Sequence, residues 1–115
     1  MINWLVLDRE EQLDEIAALS NDVPCVIFKH STRCNISAAA KYRLEEQWDF
    51  PVEAVRPYYL DLLAHRRVSD QIATRFDVYH ESPQLLLIKN GACICESSHL
   101  DINADEIRDC LPELV

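Results

Sequence analysis

A chain of 115 residues that is 49% hydrophobic and 27% charged has the size and balance of one folded domain, which excludes a disordered segment and leaves no room for a second core. Its formal charge of −9 argues against nucleic acid and membrane as partners, since both select basic surfaces, and no apolar run approaches the roughly 18 to 20 residues that cross a bilayer. Five cysteines are an odd number in a chain with no recognisable export signal, so thiols in the cytoplasm are expected and a disulfide framework is not.

Trp4 to Leu7 predicts a short strand. Asp8 then stands where it caps a helix, with Glu11 three residues on and Leu13, Ile16 and Ala17 as the apolar stripe. Val23 to Phe28 is an almost unbroken apolar run, the pattern of a strand covered on both faces; it is expected to be the central strand. From Cys34 onward Ile36, Ala40, Leu44 and Trp48 recur at four-residue spacing, predicting a helix that ends before Pro51. A strand near Tyr58 to Asp61 and a helix carrying Val68, Ile72, Ala73 and Phe76 follow. Gln84 to Lys89, then Asn90-Gly91, then Ala92 to Ser97 predict a hairpin, because Asn-Gly accepts the positive φ angles of a two-residue turn. Asp101 to Leu111 predicts a last helix that packs through Ile102, Ile107 and Leu111. The order βαβαβαββα joins parallel strands by helices and adds an antiparallel hairpin. It predicts an α/β, thioredoxin-like fold in which residues 1–115 form one domain with a mixed central sheet flanked by helices.

The chemistry centres on Cys34. It follows the expected central strand and opens a helix, so its sulfur meets unpaired backbone N–H groups and the positive end of the helix dipole, which favour the thiolate. Between positions 29 and 43 stand Lys29, Arg33, Lys41 and Arg43 with no carboxylate, and a protonated His30 would add to them. Three residues after Cys34 comes Ser37, where a dithiol oxidoreductase has its second cysteine. The motif is therefore Cys-Asn-Ile-Ser, which implies monothiol exchange. Ser37 is placed either to hydrogen-bond the Cys34 thiolate or, as serines in a first helical turn often do, the backbone. Pro83 opens the first hairpin strand, a position that tolerates proline, and with Ser82 is expected beside Cys34.

Two segments, Phe28 to Ala38 (Phe-Lys-His-Ser-Thr-Arg-Cys-Asn-Ile-Ser-Ala) and Ile72 to Gly91 with its His-Glu-Ser-Pro-Gln string at His80 to Gln84, resemble the monothiol bacilliredoxin (YtxJ-like) family. That family carries Thr-Cys-Pro-Ile-Ser at the active turn. The resemblance spans nearly the whole chain and implies removal of the small thiol bacillithiol from mixed disulfides on proteins. It implies that Cys34 takes the small thiol and passes it to a second thiol, that Ser82 and Pro83 hold the partner backbone, and that the Ser82-Pro83 bond is cis. The chain departs from the family pattern in Arg33, which replaces threonine, and Asn35, which replaces proline. Arg33 suits an anionic thiol, since the malate moiety of bacillithiol carries carboxylates; Asn35 restores a backbone N–H for the thiolate.

The remaining candidates have plainer readings. Cys93 and Cys95 alternate on one expected strand, so they should face the same side as packing residues, at the end of the sheet opposite Cys34. Cys25 is expected at that far end too, and Cys110 on the last helix, so none resolves Cys34. His80 and His99 fall near the active end, most simply as solvated loop histidines. Glu10, Glu11, Asp14 and Glu15 read as a solvated helix face.

The expected function is a monothiol thiol-disulfide oxidoreductase acting through Cys34 and Ser37, with Arg33, Asn35, Ser82 and Pro83 binding substrate. It would have no tightly bound cofactor or metal, a small thiol as co-substrate and S-thiolated proteins as clients. The alternatives are a thioredoxin-like binding module without turnover and an iron–sulfur carrier; the Cys-Gly-Phe-Ser motif typical of such carriers is absent.

Overall fold

The apolar run expected at the centre of the sheet lies there. In the computed structural model, which describes residues 2–112, β2 (Cys25–His30) has all six residues buried. It runs between β3 (Arg56–Asp61) and β4 (Gln84–Lys89), with β1 (Leu5–Val6) beyond β3 and β5 (Ala92–Ser98) beyond β4. β1, β3 and β2 are parallel, while β4 and β5 run antiparallel. The helices are α1 (Glu11–Leu19), α2 (Asn35–Gln47), α3 (Arg66–Phe76) and α4 (Ala104–Cys110). Met1 and residues 113–115 of the expected domain lie outside the described residues.

Alternation along the strands sorts the core into two layers. Cys25 and Ile27 of β2, with Leu86 and Ile88 of β4, face Leu13 and Ile16 of α1 and Val68, Ile72 and Phe76 of α3. Val26 and Phe28, with Leu85 and Leu87, face Ala40 and Leu44 of α2, together with Ile102, Ile107 and Leu111. Each such fully buried side chain contributes about 1.5–3 kcal/mol, so both helix layers are held by burial and the sheet edges of β2 are never exposed. No helix among the described residues is long and apolar enough to cross a membrane.

Local chemistry shifted several boundaries. The central strand begins two residues late because the amide of Val23 closes the turn leaving α1, donating to the Leu19 carbonyl at 3.0 Å. Asp8 does not cap α1, which has no side-chain cap; the Gln12 carboxamide instead ties down the loop before it, accepting the amides of Asp8 and Arg9 at 2.8 and 2.9 Å. The last helix is shorter than expected. His99–Asp101 form a 3-10 turn, Ile102 is drawn into the core, and the side chain of Asn103, in extended backbone, caps α4 by accepting the Glu106 amide at 3.1 Å. Ile36 is 45% exposed, because Ser37, not Ile36, takes the buried place in line with Ala40 and Leu44 on α2. At the hairpin, Asn90 and Gly91 have φ of 54° and 78°, as the Asn-Gly turn requires.

The cysteines depart furthest from expectation. β5 pairs Cys93 with Ile88 and Cys95 with Leu87, so Ile94 is an extra residue in the ladder. This bulge reverses the alternation. Cys93 packs on the α1/α3 layer and Cys95 on the α2/α4 layer, so they do not face the same side. There Cys95 is disulfide-bonded to Cys110 of α4 across 6.5 Å between Cα atoms, not a free packing thiol. Cys25, Cys34 and Cys93 are the thiols.

Candidate active site

β2 ends at His30, and four residues later Cys34 is the N-cap of α2 with extended backbone (φ −113°, ψ 120°). The turn between is closed by the Cys34 amide donating to the Ser31 carbonyl at 3.2 Å, and the Cys34 carbonyl accepts the first helical bond from Ala38 at 3.0 Å. Its side chain makes no capping bond. The half-buried sulfur is left at the start of a 13-residue helix, at the C-terminal end of the parallel strands, where the amides of the first turn are unpaired. Arg33, Asn35 and Ile36 around it are exposed.

Ser37 occupies the position a second thiol would take and is fully buried. Its Oγ accepts the Ser31 amide at 3.0 Å and lies 2.6 Å from Nδ1 of His30. The serine therefore engages the loop before the helix as well as standing one turn from Cys34. His30 is 7% exposed, stacks on the Phe28 ring at 5.8 Å and meets the Tyr59 ring at a tilt of 44° and 5.6 Å. Burial, with Lys41 nearby, holds its pKa below the usual histidine value against the opposing pull of Asp61 and Glu45. Neutral imidazole is thus the form at pH 7, and His30 does not supply the extra cation considered from the sequence.

The cationic cluster read between positions 29 and 43 is dispersed by the fold. Lys29 points to the opposite face of the sheet, where Nζ meets Nδ1 of His80 at 2.7 Å and donates to Oε1 of Gln84 at 3.1 Å. Lys41 pairs with Glu45 at 2.9 Å, and Nε of Arg43 donates to the Ile102 carbonyl at 2.8 Å. Arg33 is the member left exposed next to Cys34.

The Ser82-Pro83 bond is cis. Pro83 directly precedes Gln84, which pairs with Lys29 near the end of β2, so this peptide and Cys34 share one end of the sheet. The Pro83 carbonyl accepts the amide of His99 at 3.2 Å. His99 has a φ of 53° and brings Nε2 to 3.9 Å from Glu81, so it is tied to the proline loop. Both histidines are exposed, as the loop reading expected, and His80 in addition contacts Lys29.

No other thiol stands near. Cys25 pairs with Ile88, and Ile88 with Cys93, at the far end of the sheet. Burial pushes the Cys25 thiol up to about 11 and raises that of Cys93 as well, which suppresses nucleophilicity in both. Cys95 and Cys110 are spent on each other. The His30–Ser37 contact was missed from sequence, although the signal was present. His30 shares the parity of Val26 and Phe28, which face α2, and Ser37 is the third residue of that helix.

Residues 6–107 match the family of monothiol bacilliredoxin BrxC. Among solved structures, a thioredoxin-fold protein described as a candidate oxidoreductase is 28% identical, with 92% of this chain and 91% of that one aligned and a TM-score of 0.77. Thioredoxin Mala s 13 of Malassezia sympodialis is 16% identical over 99% and 92% of the two chains, TM-score 0.75. Thioredoxin O2 of Arabidopsis thaliana, in its oxidised state, is 20% identical over 96% and 93%, TM-score 0.66. The last two show the fold alone. A family match across most of the chain, on a thioredoxin fold with one thiol at the start of α2, supports a thiol redox role, and the protein belongs to the monothiol bacilliredoxin family.

Proposed function

We propose that the protein removes a small thiol, bacillithiol or a close equivalent, from mixed disulfides on cytoplasmic client proteins. The observation that carries this reading is the half-buried Cys34 sulfur at the N-cap of α2 with the Ser37 hydroxyl, not a thiol, one turn on. The Cys34 thiolate attacks the small thiol's sulfur in the client mixed disulfide. The client sulfur leaves with the bond's electron pair and takes a proton, and Cys34 carries the small thiol as a new mixed disulfide. A second molecule of small thiol then attacks that sulfur, giving the small-thiol disulfide and restoring Cys34. Electrons pass from sulfur to sulfur, so no resident cofactor is required. Ser37 supports the thiolate, Arg33 offers a guanidinium to a carboxylate of the small thiol, the Asn35 amide adds a donor near the sulfur, and Ser82 and Pro83 flank the client backbone.

The test is a client protein carrying one bacillithiol mixed disulfide, incubated with excess bacillithiol and a catalytic amount of the protein. Release should accelerate with the native chain and stay at the buffer rate with Cys34→Ser. Release at the buffer rate with both, together with retention of the client by the native chain, would replace this reading by the non-catalytic binding module.

A further inference from the structure

A second group of polar side chains, unused by the thiol chemistry, lies on the α3 face of the sheet at the same end as Cys34. Leu62, Arg66, Ser69, Asp70 and His80 line an open cavity of about 100 Å3. It adjoins the active turn, because the Leu62 amide donates to the His30 carbonyl at 3.0 Å and His80 stands just before the Ser82-Pro83 peptide. The bond from the Cys34 amide to the Ser31 carbonyl closes a β-turn over residues 31–34, so the Cα atoms of His30 and Cys34 are at most about 11 Å apart. Behind the cavity lies the fully buried amine of Lys29, 2.7 Å from Nδ1 of His80. Burial lowers its pKa to about 8, so at pH 7 it is an ammonium, which only donates. Nδ1 of His80 is therefore the acceptor, and its lone pair is filled.

Ser69 is 2% exposed, and the contact of its Oγ, at 3.5 Å, is to that same occupied Nδ1. It is a buried hydroxyl on the cavity wall without a sound partner of its own, an arrangement that folded proteins rarely leave in place. Arg66, the first residue of α3, is exposed, and its guanidinium makes no ion pair or hydrogen bond among the described residues. Asp70 is exposed on the wall as well and offsets one of the two cations, Lys29 and Arg66, while Glu81 is turned to His99. Burial and the neighbouring Lys29 keep the His80 ring neutral, so the cavity carries one positive charge in excess. We propose that this cavity is a carboxylate subsite for the small thiol, with Arg66 and Ser69 as specificity-determining residues. A volume of about three waters admits a carboxylate group and excludes the whole molecule. A thiol built of three residue-sized units spans about 10 Å, the scale of the separation between Cys34 and His30, where the cavity begins. Arg66 supplies the forked, charged contact, Ser69 gains the partner it lacks, and Arg33 is left to a second carboxylate.

The subsite deepens the proposed function and rests on Cys34 being the nucleophile, and one experiment separates the two. The protein reacts at pH 7 with bacillithiol disulfide and, in parallel, with the same disulfide after its malate carboxylates are esterified. In each case the Cys34 thiolate bonds one bacillithiol sulfur, and the other sulfur leaves with the electron pair and takes a proton. Both rates are read by mass spectrometry, and their ratio cancels the ionisation of Cys34. The native chain should prefer the free carboxylates by about 10-fold or more. In Arg66→Gln that preference should fall by about 10-fold, and Arg66→Lys, which keeps the charge without the fork, should restore part of it. Ser69→Ala should lower it by about 3-fold. Arg67→Gln removes the same charge one residue on, outside the cavity, where Arg67 pairs with Glu10 at 3.0 Å, and its preference should stay within about 2-fold of native. A preference indifferent to Arg66→Gln, or one that falls equally in Arg67→Gln, overturns the subsite and leaves the function standing. So does a preference lost only in Arg33→Gln, which would assign the carboxylates to Arg33 alone. A native Cys34 that reacts with neither disulfide sinks both.

Discussion

The amine of Lys29 lies 2.7 Å from Nδ1 of His80 in a fully buried position, and among the described residues no carboxylate is in ion-pair contact with it. Desolvation lowers its pKa to about 8, opposed by the more distant Asp70 and Glu81. The unfolded chain holds this proton up to about pH 10.4, so between pH 8 and that value the unfolded state binds more protons and stability attributable to Lys29 rises with pH. Below pH 8 both states are protonated and the contribution is flat at its least favourable. Lys29→Met should be more stable than the native chain at pH 7, with an advantage that shrinks by up to about 3 kcal/mol by pH 10.5. Urea melts of both proteins across that range check it, since the difference cancels the titration of tyrosines and thiols.

The Cys95–Cys110 bond closes a segment of 15 residues between β5 and α4. Constraining a loop of that length stabilises the fold by about 3 kcal/mol. Cys110→Ser should lose about that much in a urea melt, and reduction of the native chain should produce the same loss. Because the bond lies on β5 and α4 and not at the end of β2, Cys34 alkylation should be unchanged in the folded variant. A melt insensitive to reductant would show that the bond carries no stability.

Ser37 stands at the second position of a dithiol motif, one helical turn from Cys34. Ser37→Cys should form an internal disulfide on mild oxidation, seen as the mass loss of two hydrogens and as protection of Cys34 from iodoacetamide. It should reduce a protein disulfide such as that of insulin faster than the native chain does. The change also removes an acceptor from the Ser31 amide, and the unmade bond should destabilise the variant by about 1 kcal/mol or more.

Gly91 has a φ of 78°, yet a methyl group placed there would meet nothing closer than the Ala17 carbonyl at 4.0 Å. Space is available and only backbone conformation resists. Gly91→Ala should therefore cost about 1–2 kcal/mol, read as a lower urea midpoint with an unchanged slope, and should leave Cys34 reactivity intact. A larger loss would mean that the hydrogen bond donated by the Gly91 amide to Ser20 Oγ at 2.8 Å had also broken.

Cys34 at a strand-to-helix junction, the Asn90-Gly91 hairpin and the six-residue buried strand were legible in the sequence because each depends on local pattern or local backbone chemistry. So was the position of Ser37. The His30–Ser37 contact was half legible: strand parity gives the face, but the 2.6 Å separation depends on how α2 settles on β2.

By itself the sequence determined the order of elements, the two-layer core and the lone thiol at the active turn, since periodicity and turn residues act within a few positions along the chain. The tertiary structure decided what those patterns cannot encode. One extra residue at Ile94 reversed the parity of β5 and sent Cys93 and Cys95 to opposite faces. That placed Cys95 within reach of Cys110 on a helix whose start is set by Asn103. The cations near Cys34 in sequence were separated for the same kind of reason: adjacent strand residues point to opposite faces, so Lys29 joined His80 across the sheet while His30 turned to Ser37.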